Sequence, residues 1–171
     1  MPVEELLLRI QTTPDCRVDA PRGFPVIKHA HRLPEDVRAF YHLCGGLSLA
    51  EHSSYPVRIV PPTRCVLANP VILGEDRARR ELQEQGEDIS WSWYIVADYY
   101  DGNYLTVDLD PERLGRCYDS FHETHGLVGD TPIIALSFTE LLTHLYEKRG
   151  HYWYWLQPDF VFLGDAYDAV S

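Results

Sequence analysis

Seven carboxylates crowd one stretch of the chain: Asp98, Asp101, Asp108, Asp110, Glu112, Asp119 and Glu123. Asp108 and Asp110 are two residues apart, which in an extended strand puts both on one face, and Asp98 and Asp101 flank the neighbouring turn. Acids grouped in this way suit the basic cleft of a partner protein and can steer encounter at up to about 10⁸–10⁹ M⁻¹s⁻¹ at low salt. They also offer oxygens to a hard cation, but no further ligands can be placed around them. The bland alternative is a solvated sheet face with turn acids, since Asp is common in turns. Tyr94, Tyr99, Tyr100 and Tyr104 lie beside the acids. Tyrosine buries a large area while keeping a polar tip, which serves an interface anchor and ordinary cross-strand packing alike.

Other chemistries have less to stand on. His122-Glu123-Thr124-His125 differs from a zinc-protease HExxH, which needs its histidines four apart on one helical face. His29 and His31 share one side of an extended segment, a usable ligand spacing without further ligands. No GxSxG, GxGxxG or GxxxxGK[ST] occurs, and no Cys or Ser is recognisably paired with a His and a carboxylate. The chain is therefore expected to act by binding, with no catalytic residue, metal or cofactor.

Charge and composition narrow the partner. The 171 residues carry 15 Lys+Arg against 26 Asp+Glu, a net charge of −11 with His neutral. That field repels nucleic-acid phosphates and anionic lipid and favours a basic protein. The 45% hydrophobic and 24% charged fractions match an ordinary globular chain rather than a disordered one. The length suits one domain spanning 1–171. The opening Met1-Pro2-Val3-Glu4-Glu5 is unlike a signal peptide, and no apolar run reaches the ~18 residues of a membrane span. Cys16, Cys44, Cys65 and Cys117 are scattered; two disulfides are open on paper, but free thiols in a reducing cytoplasm are the expected state.

The elements that must position these residues follow from periodicity. Val3, Leu6, Leu7 and Ile10 recur at helical spacing. Pro34 opens a second helix whose buried stripe is Val37, Phe40, Tyr41 and Cys44, stopped by Gly45-Gly46. Strands are expected at Tyr55 to Val60 and next at Cys65 to Leu67, in a Pro-rich insert around Pro56 to Pro70. A charged surface helix follows over Glu75 to Gln85. Trp93 to Ala97, Tyr104 to Asp110 and Arg116 to Phe121 form an antiparallel meander turning at Asp101-Gly102-Asn103. In its middle strand Leu105, Val107 and Leu109 point to the core and Tyr104, Thr106, Asp108 and Asp110 away, so one face is buried. Ser137 and Glu140 form a capping box for a helix through Phe138, Leu141, Leu142 and Leu145. The aromatic tail His151 to Leu156 is expected to pack back on the body, although a dimer contact is equally open, as are monomer and dimer.

Three of these pieces in this order resemble one family. They are Leu33-Pro34-Glu35-Asp36 leading to Gly45-Gly46, the aromatic/Asp-Gly hairpin from Trp93 to Asp110, and Ile133 leading to Ser137-Phe138-Thr139-Glu140-Leu141-Leu142. Over about residues 33–146 the chain is similar to the SMI1/KNR4 family, the core of the SUKH superfamily. The Pro-rich insert, the N-terminal helix and the aromatic extension depart from its minimal pattern. The resemblance implies an α+β fold, a mostly antiparallel sheet with helices packed against it, and a protein-binding role without shared catalytic residues. In bacteria such domains commonly neutralise a cognate toxin by binding it; in fungi they serve as regulators. An immunity protein binding a basic toxin domain is the leading expectation. A regulatory scaffold comes second, and a metal-dependent hydrolase using the acidic cluster third.

Overall fold

The structure, a computed structural model, describes residues 1–168. Its sheet has seven strands in sequence order, each antiparallel to the next. They are β1 (Arg17–Val18), β2 (Leu47–Leu49), β3 (Val57–Ile59), β4 (Trp93–Tyr100), β5 (Asn103–Asp108), β6 (Cys117–Ser120) and β7 (Ile133–Ala135). The helices are α1 (Val3–Gln11), α2 (Glu35–Leu43), α3 (Ala68–Ile72), α4 (Glu75–Gln85) and α5 (Phe138–Glu147). This is the α+β architecture expected. No helix among the described residues is long and apolar enough to cross a membrane.

Helices α1, α2 and α5 pack on one another, with α5 also against β7. Their apolar stripes meet as expected: Leu6 and Ile10 of α1, Val37, Phe40 and Tyr41 of α2, and Phe138, Leu141 and Leu142 of α5 are all fully buried. The Phe40 and Phe138 rings meet edge-on at 5.1 Å. Asp36, at the start of α2, accepts from the Thr139 N–H at 2.8 Å and from its hydroxyl at 3.0 Å, so one acid ties the N-termini of two helices together. Ser137 caps α5 through the Glu140 N–H at 3.1 Å. Glu140 returns not to Ser137 but to the Leu136 N–H, one residue earlier, at 2.9 Å.

Several expectations need correction. Cys65 to Leu67 is no strand: a 3-10 turn covers Pro62–Arg64, and Leu67 makes a single bridge to Tyr94 before α3 begins. The segment holding His29 and His31 runs irregularly rather than extended, and a short strand, β1, forms ahead of it. The largest difference concerns the meander, which is buried on both faces. Thr106 and Asp108 of β5 and Ser120 of β6 are as inaccessible as Leu105 and Val107. Cross-strand partners share a face, so Trp93, Asp108, Thr106 and Tyr118 stand together on the side away from Val107 and Cys117. His125 and Tyr167 cover this side, their rings 5.6 and 5.9 Å from Trp93.

Gly45-Gly46 does more than end a helix. Gly45 N–H donates to Asp19 O at 3.0 Å, and Asp19 N–H to Gly46 O at 2.9 Å. Gly46 has φ +119°, and a Cβ there would stand 2.7 Å from the Ile59 carbonyl oxygen. Gly102 is also left-handed, φ +73°, but faces open space. Gly102→Ala should cost about 1–2 kcal/mol from backbone strain alone. Gly46→Ala should cost more, because the added clash forces β2 and β3 apart; urea unfolding of the two variants side by side measures the difference.

A candidate interface at the hairpin end of the sheet

The seven acids do not form one patch. Asp108 lies at the far end of β5 from the hairpin turn, about 17 Å away at ~3.4 Å per residue. It is fully buried. Its Oδ1 accepts from the Ser92 hydroxyl at 2.7 Å and the Asp110 N–H at 3.0 Å. Its Oδ2 accepts from Tyr118 Oη at 2.7 Å, Arg113 Nε at 3.0 Å and Trp93 Nε1 at 3.2 Å. Five donors hold a carboxylate that cannot meet a partner, which corrects the expectation of a solvent-facing Asp108. Asp110 stays half-exposed and pairs with Arg113 at 3.5 Å, and Glu112 beside it is exposed.

The other predicted residues gather at the opposite end. Pairing of Tyr100 with Asn103 makes Asp101-Gly102 a two-residue turn. The register slips between Asp98 and Tyr100, leaving Tyr99 as the extra residue of a bulge. Such a bulge re-aims side chains: Tyr99 turns inward and is buried, while Tyr100 is 66% exposed. Asp101 is exposed, Tyr104 half-buried, and Asp98 lies 3.7 Å from Arg64. Burial raises the Asp98 carboxyl above its ordinary range, opposed by Arg64 and Arg58. Glu123 is exposed close by, since His122 binds the side chain of Asn103 through both its backbone N–H and its ring.

Asp119 is the second buried acid. It accepts from Tyr99 Oη at 2.7 Å and from Trp155 Nε1 at 2.9 Å. Burial raises its carboxyl pKa, opposed by these two donors, and burial followed by the Asp119 charge raises the Tyr99 phenol. Through Trp155 the acid pins the aromatic tail to the sheet, as does Tyr154 Oη, 2.6 Å from the Ile134 carbonyl. The tail thus packs on its own chain, as expected, yet leaves Tyr152 and Leu156 half-exposed.

Two grooves flank Tyr100. One, of about 690 Å³, has walls of Tyr55, Tyr99, Phe121, Trp153 and Phe162, with Asp119, Asp130 and Asp165 along it. The other, of about 580 Å³, holds Arg17, Arg58 and Arg64 beside Glu51, Asp98 and Asp101. The hairpin end is therefore of mixed charge, with three arginines beside the acids expected there. Arg58 and Arg64 come from the Pro-rich insert, Tyr55 from the residue just before it and Trp153 from the tail, segments in which no site residue was expected. The signal available in the sequence was the density of aromatic residues from His151 to Leu156.

The histidines do not assemble. His31 Nδ1 is 2.8 Å from Tyr94 Oη, and His29 is exposed. His125 is buried with Nε2 2.6 Å from Asn69 Oδ1. Because the Asn69 amide nitrogen donates to Ser90, the ring must be the donor to Asn69 Oδ1. Burial lowers its pKa to about 4.

A profile of the SMI1 / KNR4 family (SUKH-1) matches residues 28–144. Over 171 residues, 100% of this chain and 99% of the relative, the sequence is 49% identical to a protein named immunity protein YokJ from Bacillus subtilis (strain 168). No solved structure gives a significant match.

Asp108→Asn should destabilise the fold by about 3–5 kcal/mol, because Arg113 loses its buried counter-charge, whereas Asp110→Asn should cost under about 1 kcal/mol; urea unfolding separates them. His125 carries an acid-side prediction. Its folded pKa lies below the unfolded value, so between about pH 6.5 and 4 the unfolded state binds more protons. Stability then falls with pH by up to about 1.4 kcal/mol per unit. A His125→Gln variant, unfolded in urea at pH 7 and pH 5, should lose less stability over that interval than the parent chain. With the family profile covering over two thirds of the chain and the relative matching all of it, this chain belongs to the SMI1/KNR4 (SUKH-1) family.

Proposed function

We propose that this chain is a bacterial immunity protein that acts in the cytoplasm, neutralising a toxin by binding it and performing no chemistry of its own. The observation that carries this reading is the full-length identity to a protein named as an immunity protein. It extends through the insert and the tail, the segments that build the groove walls at the hairpin end. The contact surface is that end, with Tyr100 as its central aromatic and Asp98, Asp101, Tyr104 and Glu123 around it. An exposed ring between two concave surfaces is the arrangement in which interface energy concentrates. Asp110 and Glu112 lie outside this contact. They contribute instead to the long-range field of a chain at −11, which favours a basic toxin domain.

The test uses the tagged chain to capture a partner from the source organism, after which the captured protein is expressed alone and together with this chain. Expressed alone it should arrest growth, and together growth should recover. Association should slow as salt rises, and Tyr100→Ala should weaken the complex by about thirtyfold or more. Stoichiometric capture of a protein that is harmless when expressed alone would overturn the proposal.

A further inference from the structure

The groove on the tail side of Tyr100 is built differently from its neighbour. Across Tyr100 every cation stands near an acid of the same chain. Arg17 pairs with Asp19 at 3.0 Å and Glu51 at 3.1 Å and Arg64 with Asp98 at 3.7 Å, while Arg58 lies opposite Asp98 in the strand register with its buried Nε unpartnered among the described residues. That surface is largely self-neutralised. The tail-side groove has carboxylates and ring faces but no Lys, Arg or His among its lining residues. The cation–π contacts found among the described residues, Lys28 over Trp91, Arg38 over Phe24 and Arg149 over Tyr146, all lie elsewhere.

We infer that this groove is a socket for an arginine side chain presented by the toxin partner. The inference rests on the immunity reading and names the chemistry its interface would recognise. The apolar stem of arginine suits the walls, and its planar guanidinium stacks on Trp153 or Tyr55 while its donors reach carboxylate and phenol oxygens. Asp130 is exposed at the groove and is the acid a guanidinium would meet directly; Asp119 and Asp165 are buried along it, accepting from Tyr99 and Trp155 and from the N–H groups of Gly129, Thr131 and Tyr167. A purely apolar occupant would strip water from the one solvated acid of the three, Asp130, and return nothing to it. An acidic occupant would meet it charge to charge. The pinning of Trp155 by Asp119 holds the wall in shape before the partner arrives, which limits the ordering cost of binding.

Two measurements test this separately from the immunity reading. In the first, the chain is titrated with acetyl-Gly-Arg-Gly-amide and with acetyl-Gly-norleucine-Gly-amide, followed by the Trp153 indole and Asp130 amide NMR signals. The arginine peptide should shift both signals and bind about tenfold tighter than the norleucine peptide, with Asp130→Asn narrowing the gap. Equal or tighter binding of norleucine, or arginine shifts located outside the groove, would refute the socket. The second places a cation in the groove mouth from the chain itself. Leu156 is 51% exposed at the rim, so Leu156→Arg and the neutral control Leu156→Gln should both fold, as checked by near-ultraviolet circular dichroism. Leu156→Arg should lose much more protection against the toxin than Leu156→Gln, and equal protection by the two variants would sink the inference. If the unmodified chain itself fails to protect, the immunity reading fails, while the peptide selectivity still stands or falls by its own result.

Discussion

A carboxylate taken wholly out of water must be given back the hydrogen bonds and the counter-charge that water supplied, and the sheet is organised around meeting that demand at Asp108. Its five donors come from four places: Ser92 and Trp93 at the entry to β4, the Asp110 N–H, Arg113 in the β5–β6 connection, and Tyr118 in β6. None of them can shift without stranding the charge, so the three central strands are locked in register at this end. The connection is closed in the same way, with Asp108 N–H donating to Arg116 O at 2.8 Å and Gly115 N–H to Asp108 O at 2.9 Å. Trp93 and Tyr118, 4.5 Å apart, then present the apolar surface onto which His125 and Tyr167 fold.

The other end of the meander is organised by a second buried carboxylate. Asp119 does there on a smaller scale what Asp108 does at the far end. It draws Tyr99 from β4 and Trp155 from the tail onto one carboxylate, so a segment remote in sequence becomes a groove wall. Around this point the rings of Tyr55, Tyr99, Trp153 and Trp155 meet at 4.9 to 5.8 Å. A groove wall on so stiff a base would need little further ordering on binding.

Local patterns were sufficient for most elements. The stripe of Val37, Phe40 and Tyr41, the Ser137 cap, the Asp101-Gly102 turn and α4 all follow from interactions within a few residues, which sequence spacing reports directly. The candidate site was legible only in part. Tyr100 and Asp101 were visible as turn-flanking residues, but Tyr55, Trp153 and Asp130 join them through contacts spanning tens of residues. Asp108 was misplaced because alternation along β5 separates two faces without saying what covers the second. The covering residues, His125 and Tyr167, are not strand neighbours, and periodicity carries no trace of them.

What the sequence determined by itself was therefore the order and type of most elements, the antiparallel hairpin, the net charge of −11 and, through three short motifs, the family. These depend on short-range sterics, hydrogen bonding and charge counting. Only the tertiary structure decided which acids face solvent and which stand in the interior holding strands together. It also decided that cations of the insert neutralise one groove while the tail leaves the other acidic and aromatic. Burial belongs to the whole packed chain, and a carboxylate's role is set by whether water or protein donors surround it once that packing is complete.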